Sequence, residues 1–219
     1  MLRLIGCLLI MVILTCGLVS AQDEVAPVRA VSLAVVALQA EEGSLAISSG
    51  EYGNLLQRQL AQPVMFNGEA VQFKPFFLHT RSPIFQRALI AGNVTQTDWD
   101  LVTEPRRAVK LGLAVGADYV LVPRVISCSA LTEESGACKG AAGLGLTLVE
   151  VASNTDPYTQ VPLPDITLAF TGIAIADSGL EAVITEEAAA RAAVRNAATK
   201  LLSQVVVLSE PVTTATPEE

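Results

Sequence analysis

Residues 110–125, KLGLAVGADYVLVPRV, place two glycines and an aspartate ahead of an apolar run. Such a stretch is either a phosphate-binding loop or the turn where a helix ends and a buried strand begins. Phosphate loops run strand, glycine-rich turn, helix N-terminus, so that free N–H groups face the anion. Here the glycines follow a helical stripe, Ala108, Leu111, Gly112 and Val115 behind Pro105, whose negative C-terminal end repels phosphate. The spacing therefore assigns Gly116 to a left-handed helix cap, Gly112 to close helix packing and Asp118 to the turn.

The other chemical candidates are few. Glu41 and Glu42 stand together in the loop after the first strand pattern, with Gln39 and Ser48 at its ends. Ligands of open α/β sheets bind beyond the carboxyl ends of strands, so these four residues are the candidate ligand-binding set, and the glutamates the candidates for a carboxylate-pair hydrolase. His79 is the only histidine. With no G-x-S-x-G elbow and no H-E-x-x-H, it has no partners for a Ser-His or Cys-His mechanism and reads as a surface residue. Asp98 and Asp100 flank Trp99 without the glycine and glutamate offsets of a calcium loop, so they read as the start of a helical turn. No metal site and no cofactor is expected, because a closed zinc site takes four good ligands.

The leader bears on the cysteines. Residues 1–21 open with Arg3, run apolar to Val19 and end Val19-Ser20-Ala21, the pattern of a secretory signal peptide cut after Ala21. Cys16 would be the acylated residue of a lipoprotein, but Thr15 precedes it where that processing wants Gly, Ala or Ser, so plain export is preferred. The mature chain keeps Cys128 and Cys138, an even pair in an oxidising compartment, and a disulfide between them is expected. The whole chain carries a net charge of −8, and loss of Arg3 with the leader makes it one unit more negative. That acidity argues against a nucleic-acid partner, whose affinity comes from clustered Lys and Arg.

The elements that must position these residues follow from apolar patterning. Residues 31–38, VSLAVVAL, form a continuous apolar run suited to a strand covered on both faces. Ser48 with Glu51 makes a capping box before a stripe of Tyr52, Leu55, Leu56 and Leu60. A second strand near residues 71–78 is interrupted by Pro75, which makes it an edge or bulged strand. Residues 82–92 have serine, proline and glycine at helix-start and helix-stop positions. Residues 120–128 and 143–151 suit the arms of a long hairpin whose loop the disulfide would staple, and residues 166–176 a last strand. Residues 185–207 form a helix with Ala190, Ala193, Ala197, Leu201 and Val205 on one face and Glu187 paired with Arg191 outside. The expected fold is α/β, a two-layer α+β variant: a mixed sheet of about five strands, helices mainly on one face, and one long hairpin. Residues 27–208 form the single domain and residues 209–219 a disordered tail.

The first strand VSLAVVAL, the junction LGLAVGADYVLVPRV and the closing TGIAIA with EEAAARAAVRNAATKLL resemble the exported α/β domain of the curli-secretion channel family (CsgG-like) and the N-terminal domain of TolB. That resemblance implies an envelope assembly or interaction unit with no catalytic residues to transfer. Two departures qualify it: at most one hairpin has membrane-barrel length, and no propeller repeats follow, so the chain looks like the isolated domain. The leading expectation is a non-enzymatic exported protein, periplasmic, envelope-bound or secreted, acting through a protein partner or as a homo-oligomer, with peripheral envelope association open. A small-ligand-binding domain using the loop after strand 1 comes second, and a carboxylate hydrolase third.

Overall fold

The computed structural model describes residues 28–37, 63–66, 69–179 and 185–207. The leader with Cys16, the loop carrying Gln39, Glu41, Glu42 and Ser48, the helix expected after it, and the tail of residues 209–219 lie outside the described residues.

The described residues form one mixed, open sheet flanked by helices, an α+β fold. Its strands are β1 (Arg29–Val36), β2 (Val64–Phe66), β3 (Glu69–Leu78), β4 (Tyr119–Thr132), β5 (Cys138–Glu150) and β6 (Leu168–Asp177), in the order β2-β3-β1-β4-β5-β6. β1 is parallel to β3 and β4, and the remaining pairs are antiparallel. Three helices, α1 (Pro83–Ile90), α2 (Gln96–Asp100) and α3 (Pro105–Val115), cover one face. The 22-residue α4 (Glu186–Val207) covers the other.

The apolar run of β1 is explained by these two layers. Val31, Leu33 and Val35 join the cluster under α4, while Ala34 and Val36 join the one under α1–α3, so alternate residues bury on opposite faces. On β3, Pro75 stands where β2 has ended, because β2 pairs only as far as Val71. A residue without an amide proton suits that edge position.

The glycine junction is the helix cap that the spacing implies. Gly116 takes φ 70°, ψ 38° after α3, and Ala117 N–H donates to Gly112 O at 2.9 Å. A Cβ on Gly112 would come within 2.6 Å of side-chain carbons of both Val120 and Val151, so this glycine permits the helix to seat on the sheet. Asp118 does more than turn the chain. Its carboxylate accepts from the Ser32 amide at 2.7 Å and from the Ser32 hydroxyl at 2.8 Å, tying the start of β4 to β1.

Two expectations are corrected. The hairpin is longer than the arms at residues 120–128 and 143–151: β4 runs to Thr132, β5 begins at Cys138, and the turn between them closes with Glu133 N–H donating to Ala137 O at 2.8 Å. Consequently Cys128 and Cys138 are free thiols rather than a disulfide. Cys138 faces Thr132 and Cys128 faces Ala142, four residues apart along β4 or β5. At about 3.4 Å per residue they stand ~13 Å apart, well beyond the ~7 Å that a disulfide spans between Cα atoms.

Candidate functional site

The hairpin outruns the rest of the sheet. β1 pairs with β4 only over Tyr119–Leu121, whereas β4 has 14 residues and β5 has 13. β4, β5 and β6 therefore extend beyond the centre of the sheet as a three-stranded meander. α4 covers one face of it, with Ala193, Val194, Ala197 and Leu201 packed over Ala142, Leu144, Leu146 and Phe170. Glycine makes that approach possible, since a Cβ on Gly140 would fall 2.3 Å from the Ala189 carbonyl oxygen. At the hairpin end Thr132 donates to Glu186 at 2.8 Å, which fastens the tip to the start of α4.

The opposite face of the meander is the candidate site. Gly143 faces Ile175 and Gly145 faces Ile173 across the β5–β6 register. Ile173 is 62% exposed, Ile175 69%, and Leu131 73%, while Ile126 at 39% leans over the glycines from β4, with its Cδ1 3.4 Å from a Cβ built on Gly145. The backbone irregularity between Val125 and Ser127 sets Ile126 in that position. The result is a glycine-floored trough walled by isoleucines. A depression of about 220 Å³ ends it, bounded by Thr103, Arg124, Thr147 and Thr171. Beside it runs the outer edge of β6, which has no strand partner among the described residues. β6 has no proline and no lysine, and Asp177 is its only charged residue, so it lacks the usual devices that keep edges from pairing.

The same face carries polar side chains as well. Ser127 and Ser129 lie on it with no histidine near; His79 sits at the other end of the sheet, after β3, and its Nδ1 accepts from the Arg81 amide at 3.2 Å. On the α4 side of β4, burial pushes the Cys128 thiol above its ordinary range, which lowers its thiolate fraction and its nucleophilicity at neutral pH. At the tip, Lys139 is held charged by Glu133 at 2.6 Å. Among the described residues no group of three His, Cys, Asp or Glu side chains is placed to hold a metal ion.

Of the residues marked in the sequence, Cys128 and Cys138 lie on the meander but apart, and Gln39, Glu41, Glu42 and Ser48 fall outside the described residues. Asp98, read as a turn residue, has a larger role. It closes a capping box with Thr95 and accepts from Arg107 at 2.5 Å and Lys110 at 2.6 Å. Burial by itself would raise its pKa, but the hydrogen bonds from Lys110, Thr95 and Arg107 outweigh it and hold the carboxyl well below the usual range. The sequence signal for the meander surface, Ile173 and Ile175 in alternation with small residues, reads equally as a buried strand.

No family model matches the chain, and no curated protein matches it. Several solved structures are similar. The hypothetical protein CT253 from Chlamydia trachomatis shares 9% identity over 80% of this chain and 94% of its own, with a TM-score of 0.44. Lipoprotein GNA1162 from Neisseria meningitidis shares 15% over 81% and 96%, with a TM-score of 0.41. The PelC dodecamer from Paraburkholderia phytofirmans shares 13% over 83% and 91%, with a TM-score of 0.40. Likenesses of this size leave the function to be argued from the residues of this chain.

Proposed function

We propose that the chain is a non-enzymatic exported domain that works through protein contact, with the uncovered face and edge of the β4–β5–β6 meander as its contact surface and a second copy of the chain as its partner. The observation that carries this is the exposure of Ile173 and Ile175 beside glycines, on an edge strand with no partner on its outer side among the described residues. Fully burying an isoleucine is worth ~1.5–3 kcal/mol, and these two side chains keep most of that gain open to a partner. β6 edges from two copies pair antiparallel about a twofold axis, an arrangement that needs one self-complementary patch. The leader in residues 1–21 supports export. The resemblance of the α3–β4 junction to the CsgG-like and TolB N-terminal domains supports an assembly role in the envelope.

Light scattering of the mature chain tests the proposal, with Ile173→Lys and Ile175→Lys as variants. The wild type is expected to self-associate at micromolar concentration and both variants to remain monomeric with melting temperatures within about 1 °C of it, because substitutions at exposed sites cost little. A wild type that stays monomeric and forms no cross-link through a photoreactive residue at position 175 would overturn the proposal.

A further inference from the structure

A second site, independent of the sheet edge, lies along α3. Arg106, Arg107 and Lys110 line a cleft of about 670 Å³ whose opposite wall is the turn carrying Gln160, Val161 and Pro162. That volume falls within the ~300–1,000 Å³ usual for small-ligand sites. Leu113 and Ala114 add apolar surface from α3.

Two features show a built site rather than a chance groove. Arg107 and Lys110 are both anchored on Asp98, which is 1% exposed, so two of the three cations are held in place from beneath. Gln160 has φ 54°, the only non-glycine residue among those described with positive φ. Its turn is built to hold it there: the Asp156 carboxylate accepts from the amides of Tyr158 and Thr159, and the Asp156 carbonyl accepts from the Gln160 amide. Non-glycine residues kept in this region cluster at ligand-binding positions.

The charges define the ligand. Arg106, Arg107 and Lys110 face Asp98 and Glu104, the latter 3.7 Å from Arg107, which leaves one positive charge uncompensated. Arg106 has no ion-pair partner among the described residues, so the excess falls on its guanidinium. A guanidinium receives a carboxylate through two parallel hydrogen bonds, and a single excess charge matches a monoanion better than a phosphate dianion. We propose that this cleft binds a singly charged organic carboxylate with an apolar body, its carboxylate on Arg106 and its body against Leu113, Ala114 and Val161.

Calorimetric titration of the full exported chain tests this, with phenylacetate and hexanoate as probes and acetate and inorganic phosphate as comparators. Both probes are expected to bind saturably, and both comparators at least about tenfold more weakly. Arg106→Gln should lose about tenfold or more in affinity for the probes while melting within about 1 °C of the wild type, since no described contact is removed. Ala114→Trp, which fills the apolar side, should abolish binding. The proposal is overturned if neither probe binds saturably, if phosphate binds as tightly as the carboxylates, or if Arg106→Gln keeps wild-type affinity.

Discussion

Replacing Gly140 by alanine tests how α4 is seated. A Cβ there would stand 2.3 Å from the Ala189 carbonyl oxygen, 2.4 Å from the Ala189 carbonyl carbon and 2.7 Å from the Ala190 amide nitrogen. All three are backbone atoms, so no side chain can rotate away, and relief requires the helix and strand to separate by about 1 Å. Neither partner is free to do so. Ala189, Ala190, Ala193 and Val194 have no exposed surface, and β5 is fixed at this point by Ser178, whose hydroxyl accepts from the Gly140 amide at 3.1 Å.

Overpacking of this kind costs ~1–3 kcal/mol. Removing a glycine from the unfolded chain returns ~0.5–1 kcal/mol. The net expectation is a loss of ~1–2 kcal/mol, which at ~2–4 °C per kcal/mol lowers the melting temperature by ~2–8 °C. Gly145→Ala is the control on the same strand. Its Cβ would meet only side-chain atoms, the nearest being Ile126 Cδ1 at 3.4 Å, so it should be neutral or stabilising by up to ~1 kcal/mol. Urea and thermal unfolding of both variants decide the matter. Equal stabilities, or a Gly145 variant as weak as the Gly140 one, would show that α4 does not approach β5 in this way.

Gly116→Val should cost about 1 kcal/mol or more and Gly116→Asn less, because nothing lies within 4 Å of a Cβ there and the whole penalty is the backbone at φ 70°; thermal melts of the pair measure it. Asp98→Asn should cost about 1–3 kcal/mol, because the charge-assisted hydrogen bonds from Arg107 and Lys110 are lost while both partly exposed cations keep their hydration. Because the folded Asp98 pKa is depressed, its stabilisation is complete above the ordinary carboxylate pKa and is lost as pH falls below it towards the folded value, so the variant's unfolding curve should depend less on pH there. Under denaturing conditions without reductant, both Cys128 and Cys138 should alkylate fully by mass, and native labelling of Cys128 should accelerate only above the ordinary thiol range because burial raises its pKa.

Features written in local sequence were legible. The Gly116 cap follows from an apolar stripe and the residue that ends it, and the alanine face of α4 from its 3.6-residue period, with Ala190, Ala193 and Ala197 all buried as that period requires. Features set by register were not. Two cysteines ten positions apart in an oxidising compartment look paired, but the tight turn over Glu133–Ala137 puts Thr132, not Cys128, opposite Cys138. Asp98 looked like a turn residue because its partners Arg107 and Lys110 reach it only once α3 packs beside α2. The exposed isoleucines were hidden for a related reason: TGIAIA reads the same whether or not a helix layer extends far enough to cover it.

β5 shows how one strand serves both a core and a contact surface. Cys138, Gly140, Ala142, Leu144, Leu146 and Leu148 turn towards α4, growing from small at the hairpin tip to large near the sheet centre as the helix leaves room for them. Gly143, Gly145, Thr147 and Val149 turn the other way, and only Val149 lies under α1–α3. The two sets of small residues therefore have different causes. At Gly140 the chain itself leaves no space for a Cβ, because backbone occupies it. At Gly145 the space is bounded by side chains instead, with Ile126 Cδ1 3.4 Å and Arg124 Nε 3.8 Å from a built Cβ, so a small side chain fits in ordinary contact. Ile126 covers that floor from β4, so what the meander presents outward is the wall of Ile126, Ile173 and Ile175 rather than the glycine backbone.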